Sequence, residues 1–169
     1  MERAHNICLE MLKQRNYEII GVEDDKIFAL KPDQQQMIVF FSDTLKFNIK
    51  NVKVYIALMD ELEIFHGIIV YKEGITSFTK KAIEQTADIK LELFAEEDLQ
   101  YNITKHRFQP KFEKLSVEET ESMKTHYDAL KFPIMRKTDP ICRFYNYERG
   151  DIIKITRSSG FVAYRIVKS

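Results

Sequence analysis

Five consecutive apolar residues, Met37-Ile38-Val39-Phe40-Phe41, constrain the fold of this chain more than any other feature. A strand with one face in water alternates apolar and polar side chains, whereas a near-continuous apolar run fits a strand covered on both faces. Further pieces rich in β-branched and aromatic residues lie at Lys26 to Leu30, Val52 to Met59, Ile64 to Tyr71 and Leu91 to Phe94. Pro32-Asp33, Ser42-Asp43 and Gly74 separate them, so each is read as a strand. Helices supply the covering layers. Ala4, Ile7, Cys8, Met11 and Leu12 recur at i, i+3, i+4, i+7 and i+8, one apolar stripe on a helix of three or four turns. Thr76 or Ser77 caps a second, short helix that carries Lys80, Lys81 and Glu84 outward and Ala82 and Ile83 inward. Helices around a mixed sheet make a layered α/β unit.

The texture changes after the acidic run Glu96-Glu97-Asp98, which is read as a solvated linker between residues 1–98 and 99–169. Ser116-Val117-Glu118-Glu119 has the form of a capping box and opens a helix to about Leu130, stopped by Phe132-Pro133. Asp139-Pro140 starts another short helix, with an acidic cap and proline at its first position. Beyond Gly150, Asp151 to Arg157 and Phe161 to Val167 alternate as two strands around Ser158-Ser159-Gly160, a hairpin.

Charge divides the chain at the same place. The 169 residues carry 26 basic and 26 acidic side chains, a net charge of zero that argues against direct duplex binding. Residues 1–100 hold 12 basic and 18 acidic side chains, a balance of −6, and residues 101–169 hold 14 and 8, a balance of +6. Such asymmetry fits two units with different partners, or two oppositely charged segments of one domain. The N-terminus has an early acid and no apolar core segment, so no secretory signal is expected, and no run is long enough to span a bilayer. Cys8 and Cys142 lie far apart with no CxxC, which suits reduced thiols in an intracellular protein.

The sequence offers little chemistry of its own. His5, His66, His106 and His126 are scattered without metal-ligand spacing, no glycine-rich phosphate loop or nucleophile elbow exists, and no cofactor or small-molecule substrate is expected. Asp88-Ile89-Lys90 has the D-x-K form of a metal-dependent nuclease, with Asp33 as a weak upstream acid. In so charged a chain that tripeptide carries little weight. Arg136, Lys137, Arg143, Arg149, Lys154, Arg157 and Arg165 are concentrated in the second half. Strand alternation places Lys154 and Thr156 on one face and Ile153, Ile155 and Arg157 on the other, so partner contact or structural pairing suits these side chains better than one phosphate stripe. Phe144, Tyr145 and Tyr147 adjoin them, and core packing accounts for at least two.

These residues bring a family into view. Asn102-Ile103-Thr104-Lys105-His106-Arg107-Phe108-Gln109-Pro110-Lys111 resembles the segment that opens the assembly domain of the fifth shared subunit of eukaryotic DNA-directed RNA polymerases, a family with archaeal members. Leu115-Ser116, the stretch Arg136 to Tyr145, the stretch Tyr147 to Arg157, and Tyr164-Arg165-Ile166-Val167 resemble its later motifs in the same order. Upstream, His66 to Tyr71 and Ile75 to Ile83 are similar to a strand and a turn-helix of its N-terminal jaw domain. Ser77 stands where the family has proline, Phe78 where it has serine and Thr79 where it has alanine.

The resemblance implies a three-layer, mixed-sheet jaw domain of restriction-nuclease-like topology without nuclease activity, followed by a small α/β assembly domain with a β-hairpin. It implies a noncatalytic subunit that docks on the largest polymerase subunit and holds downstream duplex DNA within the complex. On that reading Thr76, Ser77, Lys80 and Lys81 lie near DNA. His106, Pro110, Arg136, Asp139, Pro140, Arg143, Arg149, Gly150, Lys154, Arg157, Tyr164 and Arg165 meet partner subunits. A shortened jaw and hairpin tip imply a divergent copy, such as a large DNA virus would carry. The chain would then act in the nucleus of a cell, or in the cytoplasm or virion of a virus. A metal-dependent nuclease-like DNA-binding protein and a polymerase-associated adaptor are the alternatives.

Overall fold

A computed structural model describes all residues except Lys46, Gln85, Ala87 and Asp128, Ala129 and Leu130. The chain divides into two units, residues 1–101 and 102–169.

The first unit begins with helix α1 (Glu2–Gln14), whose stripe buries Ala4, Cys8, Met11 and Leu12. Strands β1 (Glu18–Val22), β2 (Lys26–Leu30) and β3 (Gln36–Ser42) follow as an antiparallel meander. Helix α2 (Ile49–Glu61) crosses to β4 (His66–Tyr71), and α3 (Ser77–Glu84) crosses to β5 (Lys90–Ala95). The crossovers make β3, β4 and β5 parallel, so a mixed sheet forms in the order β1-β2-β3-β4-β5.

The sheet is covered on both faces, as the Met37–Phe41 run predicts: β3 is buried from Met37 to Ser42, and β4 throughout. Ile38, Phe40, Ile69 and Tyr71 pack with Val52 and Met59 of α2 and Ile83 of α3. The alternate residues face the other way, where Phe41 meets the His5 ring of α1 at 5.0 Å.

The segment Val52 to Met59 corrects the sequence reading: it is the centre of α2, not a strand. Asn48 and Asn51 form a reciprocal capping box, with the Lys50 N–H donating to Asn48 Oδ1 (2.9 Å) and the Asn48 N–H to Asn51 Oδ1 (3.1 Å). β-branched content suggested a strand, but Ile49, Val52, Ile56 and Met59 recur at helical spacing. A parallel β3–β4 pair also needs a crossover of a dozen residues or more, which a strand there could not supply. The acidic run is likewise no solvated linker. Residues Glu96–Leu99 form a 3-10 helix that buries Leu99, and the Met1 amino group pairs with Glu96.

Helix α2 crosses β4 at Gly67, where a Cβ atom would lie 2.8 Å from Met59 Sδ, 2.9 Å from Met59 Cε and 3.0 Å from Leu91 Cδ2. Met59 is itself fully buried, so its thioether end would have to repack within the core. Gly67→Val is expected to destabilise the protein by roughly 1–3 kcal/mol. A urea denaturation midpoint unchanged from wild type would show that the α2 contact yields without cost.

The second unit holds strands β6 (Lys111–Lys114), β7 (Ile134–Arg136), β8 (Ile152–Thr156) and β9 (Val162–Lys168), in the order β6-β8-β9-β7. β8 and β9 form the expected hairpin, with Gly160 at φ +81° in its tip and the Arg157 N–H donating to the Phe161 carbonyl. Helix α4 (Val117–His126) has its capping box in place: the Glu119 N–H donates to Ser116 Oγ and the Ser116 N–H to Glu119 Oε2. Its expected extension to Leu130 falls on residues outside those described. Helix α5 (Pro140–Tyr145) packs Ile141 and Cys142 against Met135, Ile153, Ile155 and Val167. β1, β6 and β7 were not expected. β6 and β7 are too short to show alternation, and β1 carries Gly21 at a register shift.

Candidate functional site

The turn into α3 presents Thr76, Ser77, Lys80 and Lys81, all exposed. Thr76 serves as the helix cap: its Oγ1 accepts from the Thr79 N–H at 3.2 Å and lies 2.9 Å from Thr79 Oγ1. Both lysines are in solvent, where they can meet an anionic partner. Phe78, next to Ser77, is 71% exposed.

In the second unit the sequence-derived residues fall into two groups. Asp139, Pro140 and Gly150 shape the backbone. Asp139 Oδ1 accepts from the Ile141 N–H at 2.9 Å, Pro140 opens α5, and Gly150 adopts φ +93° while its N–H donates to the Val167 carbonyl. An L side chain at Gly150 would be strained whatever space surrounds it. Pro110 leads into β6.

The charged group is spread over both faces of the sheet. Register pairs Lys154 with Tyr164, and Arg136, two residues after Ile134, shares their face. Arg165 lies opposite Ile153 on the face that α5 covers, yet remains exposed. Arg157 sits in the hairpin turn 5.8 Å from the Phe161 ring centroid, Arg149 is exposed before Gly150, and Arg143 is half-buried on α5. His106 is exposed in the turn before β6. Phe144 and Tyr147 are core residues, with Tyr145 stacked 5.2 Å from Tyr147.

The nuclease pattern does not assemble. Asp33 occupies the β2–β3 turn, where its carboxylate accepts from the Gln35 N–H at 3.1 Å. Asp88 lies in a bend ahead of β5 and Lys90 is the first residue of that strand, so strand alternation does not hold the pair on one face. Among the described residues, no group of three or more His, Cys, Asp or Glu side chains could hold a metal ion.

One polar constellation escapes a reading by local pattern. Glu92, in the middle of β5, receives two parallel hydrogen bonds from Arg15 at the C-cap of α1, Nη1 to Oε1 and Nη2 to Oε2, both 2.8 Å. His66 Nε2 lies 2.8 Å from Glu92 Oε1, and the Tyr17 hydroxyl is 3.4 Å from His66 Nδ1. Arg15, His66 and Tyr17 are buried. Burial alone would raise the Glu92 carboxyl, but the Arg15 charge and the hydrogen bonds from His66 and Arg15 outweigh it and hold the pKa down at about 2. Burial pushes the nearby Cys8 thiol up to about 12, so it is no nucleophile at neutral pH. Both carboxylate oxygens are engaged, and the cluster therefore clamps α1 to the sheet. The available signal was a glutamate inside the apolar strand Leu91 to Phe94, because a charge in a covered strand needs a partner.

Residues 101–167 match the family described as RNA polymerase Rpb5, C-terminal domain. A protein of Invertebrate iridescent virus 6 named "Putative DNA-directed RNA polymerase subunit 454R" is 34% identical over 182 aligned positions, 98% of each chain. The Dictyostelium discoideum subunit rpabc1 of DNA-directed RNA polymerases I, II and III is 32% identical, over 94% of this chain and 92% of its own. Subunit 5C of Arabidopsis thaliana DNA-directed RNA polymerase V is 28% identical, over 97% and 82%.

Proposed function

The chain belongs to the Rpb5 family of DNA-directed RNA polymerase subunits, and from that premise we propose that it is a noncatalytic subunit whose two units do different work. The basic second unit docks on the largest subunit and joins other polymerase subunits. The first unit forms part of the jaw, with the Thr76–Lys81 turn beside downstream duplex DNA. The polymerase sets the location: the nucleus for a cellular enzyme, the cytoplasm or virion for a viral one.

The observation that carries this reading is the likeness to a polymerase subunit along 98% of both chains, which spans both units rather than a shared module alone. Charge supports it. The +6 balance of residues 101–169 resides in part on exposed Arg136, Arg149, Arg157 and Arg165, side chains suited to carboxylates on a partner. The −6 balance of the first unit fits a subunit whose neighbours supply most phosphate contacts.

Copurification tests the assignment. The chain is expected at one copy per polymerase particle, together with the two large catalytic subunits. A substoichiometric yield identifies an adaptor instead. Mg²⁺-dependent DNA cleavage abolished by Asp88→Ala would end the noncatalytic reading. Arg165→Glu is expected to weaken incorporation by roughly tenfold, since like charges across an interface are penalised. Wild-type incorporation of that variant would remove Arg165 from the docking surface.

A further inference from the structure

Phe108 is the most exposed aromatic of the second unit at 73%, with the His106 ring 5.7 Å away. A single exposed apolar side chain is ordinary. This one differs because it stands on a turn fixed from both sides. Upstream, Asn102 Oδ1 accepts from the Thr104 N–H (3.0 Å) and hydroxyl (2.7 Å), while Ile103 packs against the core of the unit. Downstream, the Gln109 N–H donates to the His106 carbonyl at 2.8 Å, and β6 pairs Lys111 with Thr156. The Phe108 N–H also donates to His106 Nδ1 at 3.3 Å.

A cation completes the feature. The Arg107 guanidinium carbon lies 4.3 Å from the Phe108 ring centroid, within cation–π range. No carboxylate among the described residues pairs with Arg107. Nearby Lys111 differs, since it pairs with Glu113 at 2.7 Å. A rigid aromatic beside an arginine fork with no anion of its own is the composition of an interface anchor, where little entropy remains to be lost on binding.

We propose that Arg107 and Phe108 form a preorganised anchor for an acidic protein surface of the polymerase: the Phe108 ring enters an apolar pocket, and the Arg107 guanidinium takes a carboxylate at the pocket's rim. The occupant is a protein because the guanidinium already covers one ring face and so competes with a stacking base. A pocket lined by apolar side chains and edged with Asp or Glu satisfies ring and fork together. The anchor rests on the polymerase-subunit reading and names the chemistry of its docking contact.

The test uses the full chain, coexpressed with the largest subunit of its own polymerase, and measures the affinity between them. Phe108→Ala and Arg107→Glu are expected to weaken binding by roughly thirtyfold each. Phe108→Leu keeps an apolar anchor and is expected to stay within a few-fold of wild type, as is Lys124→Ala on α4. The Phe108→Leu result separates a lost contact from a lost fold, and unchanged thermal unfolding of Phe108→Ala gives the same distinction. If wild type binds and Phe108→Ala binds equally well, the anchor is wrong while the subunit reading stands. If wild type binds no polymerase subunit, the subunit reading itself fails. A variant that keeps subunit affinity but loses affinity for a fluorescein-labelled poly(U) oligonucleotide overturns the protein partner in favour of nucleic acid.

Discussion

Arg15→Met is expected to destabilise the first unit by roughly 3–5 kcal/mol, among the largest effects of any single substitution in the chain. The removed guanidinium is the bidentate partner of Glu92, and the two residues are 77 positions apart in sequence. Without it a carboxylate only 13% exposed stays on the α1 side of β5 with His66 against it. Methionine fills a similar volume, so the loss reflects the orphaned charge rather than a cavity. The double variant Arg15→Met, Glu92→Leu is expected to recover most of the stability, because a buried ion pair returns little more than its own desolvation cost. Hydrogen exchange of the β4 amides reports on this unit alone. If the single and double variants exchanged equally fast, Arg15 would matter for packing and not for its charge.

Acid is expected to loosen the same clamp. The Glu92 carboxyl lies at about 2 in the folded protein, against an ordinary value of 4.5. Because the folded value is the lower, the contribution is complete above about pH 4.5 and is lost as pH falls toward 2. A difference of that size corresponds to roughly 3 kcal/mol. Glu92→Gln removes this titration, so its unfolding free energy should fall less steeply with pH across the window, by up to one proton's worth of slope. Equal slopes for the two proteins would show that Glu92 titrates as an ordinary carboxylate.

Local signals were the legible part of the fold. The α1 stripe, the β2, β3 and β4 runs, the Ser116 and Asp139 caps and the β8–β9 hairpin depend on neighbours within a few residues, and the structure contains each of them. The Val52 to Met59 misreading shows where such reasoning weakens. Its β-branched residues favour a strand locally, while the need to cross from β3 to β4 demands a helix. The candidate surfaces divide the same way. Thr76, Asp139 and Gly150 act on their own backbone and could be read in place. The β8–β9 hairpin puts Lys154 and Tyr164 on one face and Arg165 on the other, but Arg136 joins the first two only because β7 pairs beside β9.

By itself the sequence determined a doubly covered sheet and capped helices in a basic second half, since these follow from residue type and spacing, and its motifs resembled those of a polymerase-subunit family in their order. Tertiary structure alone decided which charges meet. Arg15, His66 and Glu92 converge from three elements. Burial and register create those pairings, and neither is a property of a short stretch of chain.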